Sequence, residues 1–261
     1  MARTRVTLLA GLMTVGVTAI ASSAAQATDT FIYVHGWTLE GQDFSSCQGQ
    51  TTCPGYWQEQ LNVNIRHVGW NTSVDWRSST TASRAFNLLH QYCRTDQGNR
   101  CRIVCHSTGC AITGKVLSWY AAHNTPWTIE RVISLGSAEG GTELASWAGW
   151  TGNPSGQYLS PSIVRSEYNH NQTSGVPFFH LAGYDGRFGP SGVIEGQDDG
   201  VVPFHSACGY SSTGDYGLCS GQGAKWTLHS TAAYCGNDGC NKTHSQLKTN
   251  EFQFEVMVSN P

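Results

Sequence analysis

Ser107 sits in the segment Ile103-Val104-Cys105-His106-Ser107-Thr108-Gly109-Cys110, where an apolar run gives way to a tight turn and then to a helical pattern. A serine at such a strand-to-helix turn is presented on a sharp elbow, which requires small residues two before and two after it. Gly109 meets the second requirement, and Cys105, a small side chain, stands where glycine is usual. A serine hydroxyl is a weak nucleophile at neutral pH. It attacks a carbonyl when a base lies within hydrogen-bond reach, an acid orients that base, and N–H donors face the developing oxyanion. Asp198 and Asp199, in Asp198-Asp199-Gly200-Val201-Val202-Pro203, are candidate acids, and His205, His229 and His244 are candidate bases. Such a set carries acyl transfer through a covalent acyl-enzyme.

Placing these residues together requires strands that end along one edge. Thr30 to Val34 is a short apolar, β-branched run ending at His35-Gly36, the pattern of a buried parallel strand. Residues 64–70, 102–105, 131–135, 176–182 and 225–228 read as further strands. Between them, residues 78–93 place Ala82, Ala85, Phe86, Leu89 and Tyr92 at helical steps, residues 111–122 form a second helix that stops before Asn124 and Pro126, and residues 245–258 form a closing helix. Strands separated by helices predict a mostly parallel α/β sheet. Residues 142–175 and 183–216 interrupt this rhythm, and loops of such length in a compact domain are usually functional.

In four places the chain resembles the α/β-hydrolase fold, and within it the secreted bacterial triacylglycerol lipases and esterases. Tyr33-Val34-His35-Gly36-Trp37 is similar to the family's oxyanion strand, and the Ser107 elbow follows it. The Gly-rich turn Leu135-Gly136-Ser137-Ala138-Glu139-Gly140-Gly141-Thr142 resembles the end of the next strand, and Asp199-Gly200-Val201-Val202-Pro203 resembles the acid loop. Thr243-His244-Ser245 stands where the family's histidine follows the last strand. The resemblance implies a Ser107, Asp199, His244 triad, with Asp198 a solvated neighbour, and it places His229 as the alternative base. His205 follows Asp199 too closely to come from a separate loop. The resemblance also implies oxyanion donors at the backbone N–H groups of Trp37 and Thr108, structural roles for His35 and His106, and a sheet lacking the family's first two strands. It makes the expected activity carboxylic-ester hydrolysis, with polymer depolymerase and acyltransferase as alternatives on the same triad and a non-catalytic binding module as the alternative outside enzymes.

The remaining sequence bounds compartment and partners. The first 27 residues have Arg3 and Arg5, an apolar run from Val6 to Ile20, and Ala25-Gln26-Ala27, the three regions of a cleavable export signal. The expected mature protein is therefore one domain over residues 28–261, secreted, with no integral membrane span. Ten cysteines, an even number, all follow that segment, and in an exported chain they point to disulfides. The shortest loops pair Cys47 with Cys53, Cys93 with Cys101, Cys208 with Cys219 and Cys235 with Cys240, which leaves Cys105 with Cys110. The formal charge is −3 and only 13% of residues are charged. A mildly acidic chain without a Lys/Arg run offers no footprint for nucleic acid. No phosphate loop, EF-hand or H-E-x-x-H pattern is present, so neither cofactor nor metal is expected; Glu195, Asp198 and Asp199 form the one acidic cluster a cation could use. Residues 142–175 hold Trp147, Trp150 and Tyr158 and follow the strand where resembling lipases carry a cap. They predict a lid over an apolar ester substrate, working at a lipid or polymer surface.

Overall fold

Strand β1 (Asp29–Val34) is buried at five consecutive positions from Thr30 to Val34, as a strand must be when both faces of its sheet are covered. The computed structural model describes residues 29–57, 64–121, 126–145, 153–170, 172–183, 194, 198–207, 230–233 and 242–249. The expected export segment, Trp147, Trp150, Glu195, His229, the strand expected at 225–228 and the expected Cys208–Cys219 and Cys235–Cys240 pairs lie outside them. Within them, β1 pairs with β2 (Ile65–Val68) on one side and β3 (Arg100–His106) on the other, followed by β4 (Ile129–Leu135), β5 (Phe178–Leu181) and β6 (Ser230–Ala233). The order is β2-β1-β3-β4-β5-β6 and every neighbouring pair is parallel. All six strands therefore end along the same edge. In sheets of this kind ligands bind beyond that edge.

The alternation of side chains along β1 sorts the core into two layers. Ile32 and Val34 pack with Ile103 and Cys105 against Ala85, Leu88 and Leu89 of helix α1 (Ser79–Tyr92) and Ile112 and Val116 of helix α2 (Thr108–Ala121). Phe31 and Tyr33 face the other way, with Val104, Ile133 and Leu181, onto Tyr56, Trp57 and Leu247. Among the described residues, the cover on that second face is the loop closed by Cys47–Cys53 and the turn Gln246–Lys248. Helix α1 begins where the sequence predicts, because Ser78 accepts the Thr81 N–H at 3.2 Å on its hydroxyl and so satisfies one of the free N–H groups of the first turn. Helix α2 begins earlier than its apolar pattern, directly after Ser107.

Of the closing helix expected over 245–258, the described residues hold a 3-10 turn, Gln246–Lys248, and residues 250–258 lie outside the described residues. Thr249 leaves helical geometry at ψ 153 and its hydroxyl donates to the Gln246 carbonyl, which ends the turn after its first residues. No helix among the described residues is long and apolar enough to cross a membrane.

Three of the expected cross-links are present. Cys47–Cys53 closes the loop over the second face, Cys93–Cys101 ties the end of α1 to the start of β3, and Cys105–Cys110 joins the end of β3 to the first turn of α2 across a Cα–Cα distance of 4.9 Å. Alkylation of the unreduced, denatured protein should therefore leave these six cysteines unlabelled, as read by peptide mapping. Removing the Cys105–Cys110 link by the double change to alanine should lower the unfolding free energy in urea by about 2 kcal/mol.

Candidate active site

Ser107 separates the last residue of β3 from the first of α2 and adopts φ 55, in the left-handed region. For a residue with a side chain this conformation costs of order 1–3 kcal/mol and persists only when neighbours hold it. Its N–H donates to the Leu135 carbonyl at 3.0 Å, and its carbonyl accepts from Cys110 at 3.0 Å and from Ala138 at 3.2 Å. Close approach on both sides explains the small residues. A Cβ on Gly109 would lie 2.2 Å from the Val34 carbonyl oxygen, and one on Gly36 would lie 2.6 Å from the Ser107 Cβ. At the Cys105 position the elbow's first small residue is instead half of a disulfide, fully buried.

Asp199 and His244 meet at the same edge of the sheet. The His244 Nδ1–H donates to Asp199 Oδ2 at 2.7 Å. The His244 backbone N–H donates to the Asp199 carbonyl at 2.8 Å, so the pair is tied through both main chain and side chain. The other carboxylate oxygen, Oδ1, accepts the N–H groups of Val201 at 3.0 Å and Val202 at 2.8 Å, which is why the Asp-Gly-Val-Val stretch turns tightly around its first residue. Neighbouring Asp198 spends Oδ1 on the Gly200 N–H and is partly exposed. Gly136, at φ +51 after β4, leaves room for the pair: a Cβ there would stand 2.9 Å from Asp199 Oδ2 and 3.0 Å from His244 Nδ1. His205 is buried on a short helix, α4 (Phe204–Ala207), after α3 (Pro161–Glu167), and burial holds its pKa down to about 4.

The other two histidines of the edge are buried and neutral. His35 donates from Nδ1 to the Gly36 carbonyl at 2.9 Å, accepts the Trp70 N–H on Nε2 at 3.2 Å and stacks on the Trp70 ring. Burial drives its pKa down to about 3. His106 donates from Nε2 to the His244 carbonyl at 2.9 Å and accepts the Tyr56 hydroxyl on Nδ1 at 2.5 Å, and its pKa is held well below the usual range, first by burial and next by His244. Trp37 follows Gly36 on the loop that His35 braces, with its indole N–H on the Ser155 hydroxyl at 2.8 Å. Thr108 is the first residue of α2, so its N–H is among those a helix cannot satisfy internally and sits at the positive end of the helix dipole.

Sequence reasoning missed the groups that support these residues. The turn after β4 buries the carboxyl of Glu139, which accepts the Tyr168 hydroxyl and the Ser137 hydroxyl, each at 3.1 Å. Burial raises its pKa from 4.5 to about 8. Asn153 and Ser155 are buried too: the Asn153 amide donates to the carbonyls of Thr38 and Thr72, and the Ser155 hydroxyl contacts the Thr72 carbonyl at 2.7 Å. Residues 153–170 are thus fastened to the body of the protein. Tyr158 is fixed within them, with its carbonyl accepting the Trp76 indole N–H and its ring 4.3 Å beneath the Arg77 guanidinium. A polar residue inside a Gly-rich or Ser-rich stretch gives no sign in sequence that it will be buried.

Two outcomes follow. Gly109→Ala should cost about 1–3 kcal/mol of stability in urea unfolding, because the added methyl meets backbone rather than a movable side chain. The retained proton of Glu139 stabilises fully below pH 4.5, and that contribution is lost as the pH rises to about 8. The stability of the wild type relative to Glu139→Gln should therefore fall between pH 5 and pH 8 and level off above, measured by unfolding across that range.

No family model matches the chain and no curated protein matches it. Among solved structures, the mature form of the lipase BlEst2 from Bacillus licheniformis aligns with a TM-score of 0.54 at 16% identity, over 89% of this chain and 91% of that one. The metagenomic carboxyl esterase MGS0156 aligns with a TM-score of 0.50 at 14% identity, over 91% of this chain and 77% of that one. Together with the parallel sheet and its helices, these likenesses establish the α/β-hydrolase fold.

Proposed function

We propose that the protein is a serine hydrolase of carboxylic esters, with Ser107 as nucleophile, His244 as base and Asp199 as the orienting acid. The observation that carries this reading is the Asp199–His244 pair, 2.7 Å apart and buried, at the strand edge where Ser107 is held in its left-handed turn. The acceptor at Nδ1 fixes the imidazole tautomer that leaves Nε2 free to take a proton. In the reaction, His244 removes the Ser107 proton as the oxygen attacks the ester carbonyl. The N–H groups of Trp37 and Thr108 receive the charge that moves onto the carbonyl oxygen. The imidazolium then protonates the departing alcohol, and a water activated by the same histidine releases the acid and restores Ser107.

The acyl group is proposed to be apolar, bound beneath a cap over residues 142–175, the segment whose sequence holds Trp147 and Trp150. Large aromatic rings of that kind each bury about 150–250 Å² against a ligand. Tyr158 belongs to the fastened part of the same segment and is assigned a supporting place in it. The substrate is then a lipid or polymer ester met at its surface. Three disulfides support export, because such bonds persist in oxidising surroundings.

Ser107→Ala and His244→Ala should each lower kcat for a nitrophenyl ester by about 10⁴-fold or more, and Asp199→Asn by about 10⁴-fold, with the unfolding transition retained. A fluorophosphonate probe should label the wild type and not Ser107→Ala; labelling that persists in that variant overturns the assignment. A series of acyl lengths, with an emulsified triglyceride beside it, reads the substrate class. Trp147→Ala and Trp150→Ala should raise KM most for the longest chains, and equal loss on acetate and octanoate esters would place the acyl site elsewhere.

A further inference from the structure

Beyond the candidate triad, one buried phenol touches three parts of the edge at once. Tyr56 is 3% exposed, and it follows directly on the Cys47–Cys53 loop, to which its backbone N–H is bonded through the Cys53 carbonyl. Its hydroxyl lies 2.5 Å from His106 Nδ1. A Cβ on Gly36 would stand 2.5 Å from that hydroxyl and 2.6 Å from the Ser107 Cβ, so Tyr56 and the candidate nucleophile flank the same glycine. On the far side, the Lys248 ammonium sits 4.1 Å from the Tyr56 ring centre, four residues after His244.

The hydrogen bonds permit one arrangement of protons. His106 Nε2 faces the His244 carbonyl, which can only accept, so Nε2 carries the hydrogen. The neutral ring then has its lone pair on Nδ1, and Tyr56 must be the donor there. Burial keeps the phenol protonated by moving its pKa upward. A protonated His106 would turn a donor onto the phenol oxygen and strand the Tyr56 hydrogen. It would also place a cation beside His244, whose ring centre is 4.4 Å away and becomes positive when it takes the serine proton.

We propose that Tyr56 is a positioning residue for hydrolysis at Ser107. Its hydroxyl sets the neutral tautomer of His106 and, through that ring, seats His244 and the Gly36–Trp37 loop. Asp199 fixes the rotation of the His244 ring, and the Tyr56–His106 pair fixes the main chain and the ring face on the opposite side. The disulfide-closed loop is thereby part of the catalytic framework as well as a cover for the sheet. This inference rests on the triad proposed above.

The test is Tyr56→Phe, which keeps the ring and removes the donor. Rates are expressed per site titrated with the fluorophosphonate probe where His244 is present, and per folded molecule from urea unfolding in the His244→Ala background, so that unfolded molecules do not count. kcat on a short nitrophenyl ester should fall by about 10- to 100-fold, as expected for a small misplacement of a reacting group, with KM within about twofold. In a His244→Ala background, Tyr56→Phe should cause no further loss of the residual rate, because residues acting as a unit are not additive. An unchanged kcat per titrated site, or an equal loss in both backgrounds, overturns the proposal. Failure of the triad reading itself is separate: Ser107→Ala would then remain active and labelled, whatever Tyr56→Phe does.

Discussion

Ser107 keeps a backbone conformation that its side chain disfavours, and much of the surrounding structure is arranged to hold it. Strand β4 supplies the acceptor for its N–H, and Ala138 in the turn after it donates to its carbonyl. Helix α2 must begin at the very next residue, which brings its first turn against the end of β1, where nothing larger than Gly109 fits. The Cys105–Cys110 bond spans the same corner and limits how far strand and helix can separate. Strain of order 1–3 kcal/mol survives at such a point only because relaxing it would break several of these contacts together.

The same packing controls charge. Four histidines, His35, His106, His205 and His244, lie at or near the strand edge and are buried. Three of them are held neutral by desolvation, so none of these three rings adds a charge beside the imidazole paired with Asp199. A buried, uncharged neighbour costs little when His244 gains a proton, whereas a like charge at 4.4 Å would oppose it strongly in a low-dielectric site. Glu139 follows the same rule from the acidic side. Its carboxyl is protonated below about pH 8, so the turn beside the elbow carries hydrogen bonds without an unpaired charge.

The two faces of the sheet are covered by different means. On one, α1 and α2 pack as amphipathic and central helices. On the other, the described cover comes from a disulfide-closed loop with Tyr56 and Trp57 and from the C-terminal turn with Leu247. A loop has no repeating hydrogen bonds to fix it, and the Cys47–Cys53 bond, with the Gly49 and His67 main-chain pairing, does that instead. This allows a side chain from an irregular segment to be placed as exactingly as one from a helix.

The sequence by itself determined the parts of this protein that follow from local chemistry. The apolar β-branched runs at β1 and β3 and the Ser78-capped periodicity of α1 are short-range signals, and each matches its element closely. The glycine two after Ser107 and the Asp-Gly-Val-Val turn likewise declare close approach and a tight bend in their own residue types. The loop pairings of cysteines 47, 53, 93, 101, 105 and 110 were legible because neighbours in sequence must be neighbours in space. Tertiary structure alone decided the rest. Tyr56 reaches His106 across 50 positions, His106 reaches the His244 carbonyl across 138, and Tyr168 reaches Glu139 across 29. No periodicity or propensity encodes such contacts, since they depend on which strand ends lie side by side. Tertiary contact likewise places the turn after His244, where Leu247 is buried among Phe31, Tyr33 and Tyr56 and Thr249 takes extended geometry, a placement that weak local helix preference does not specify.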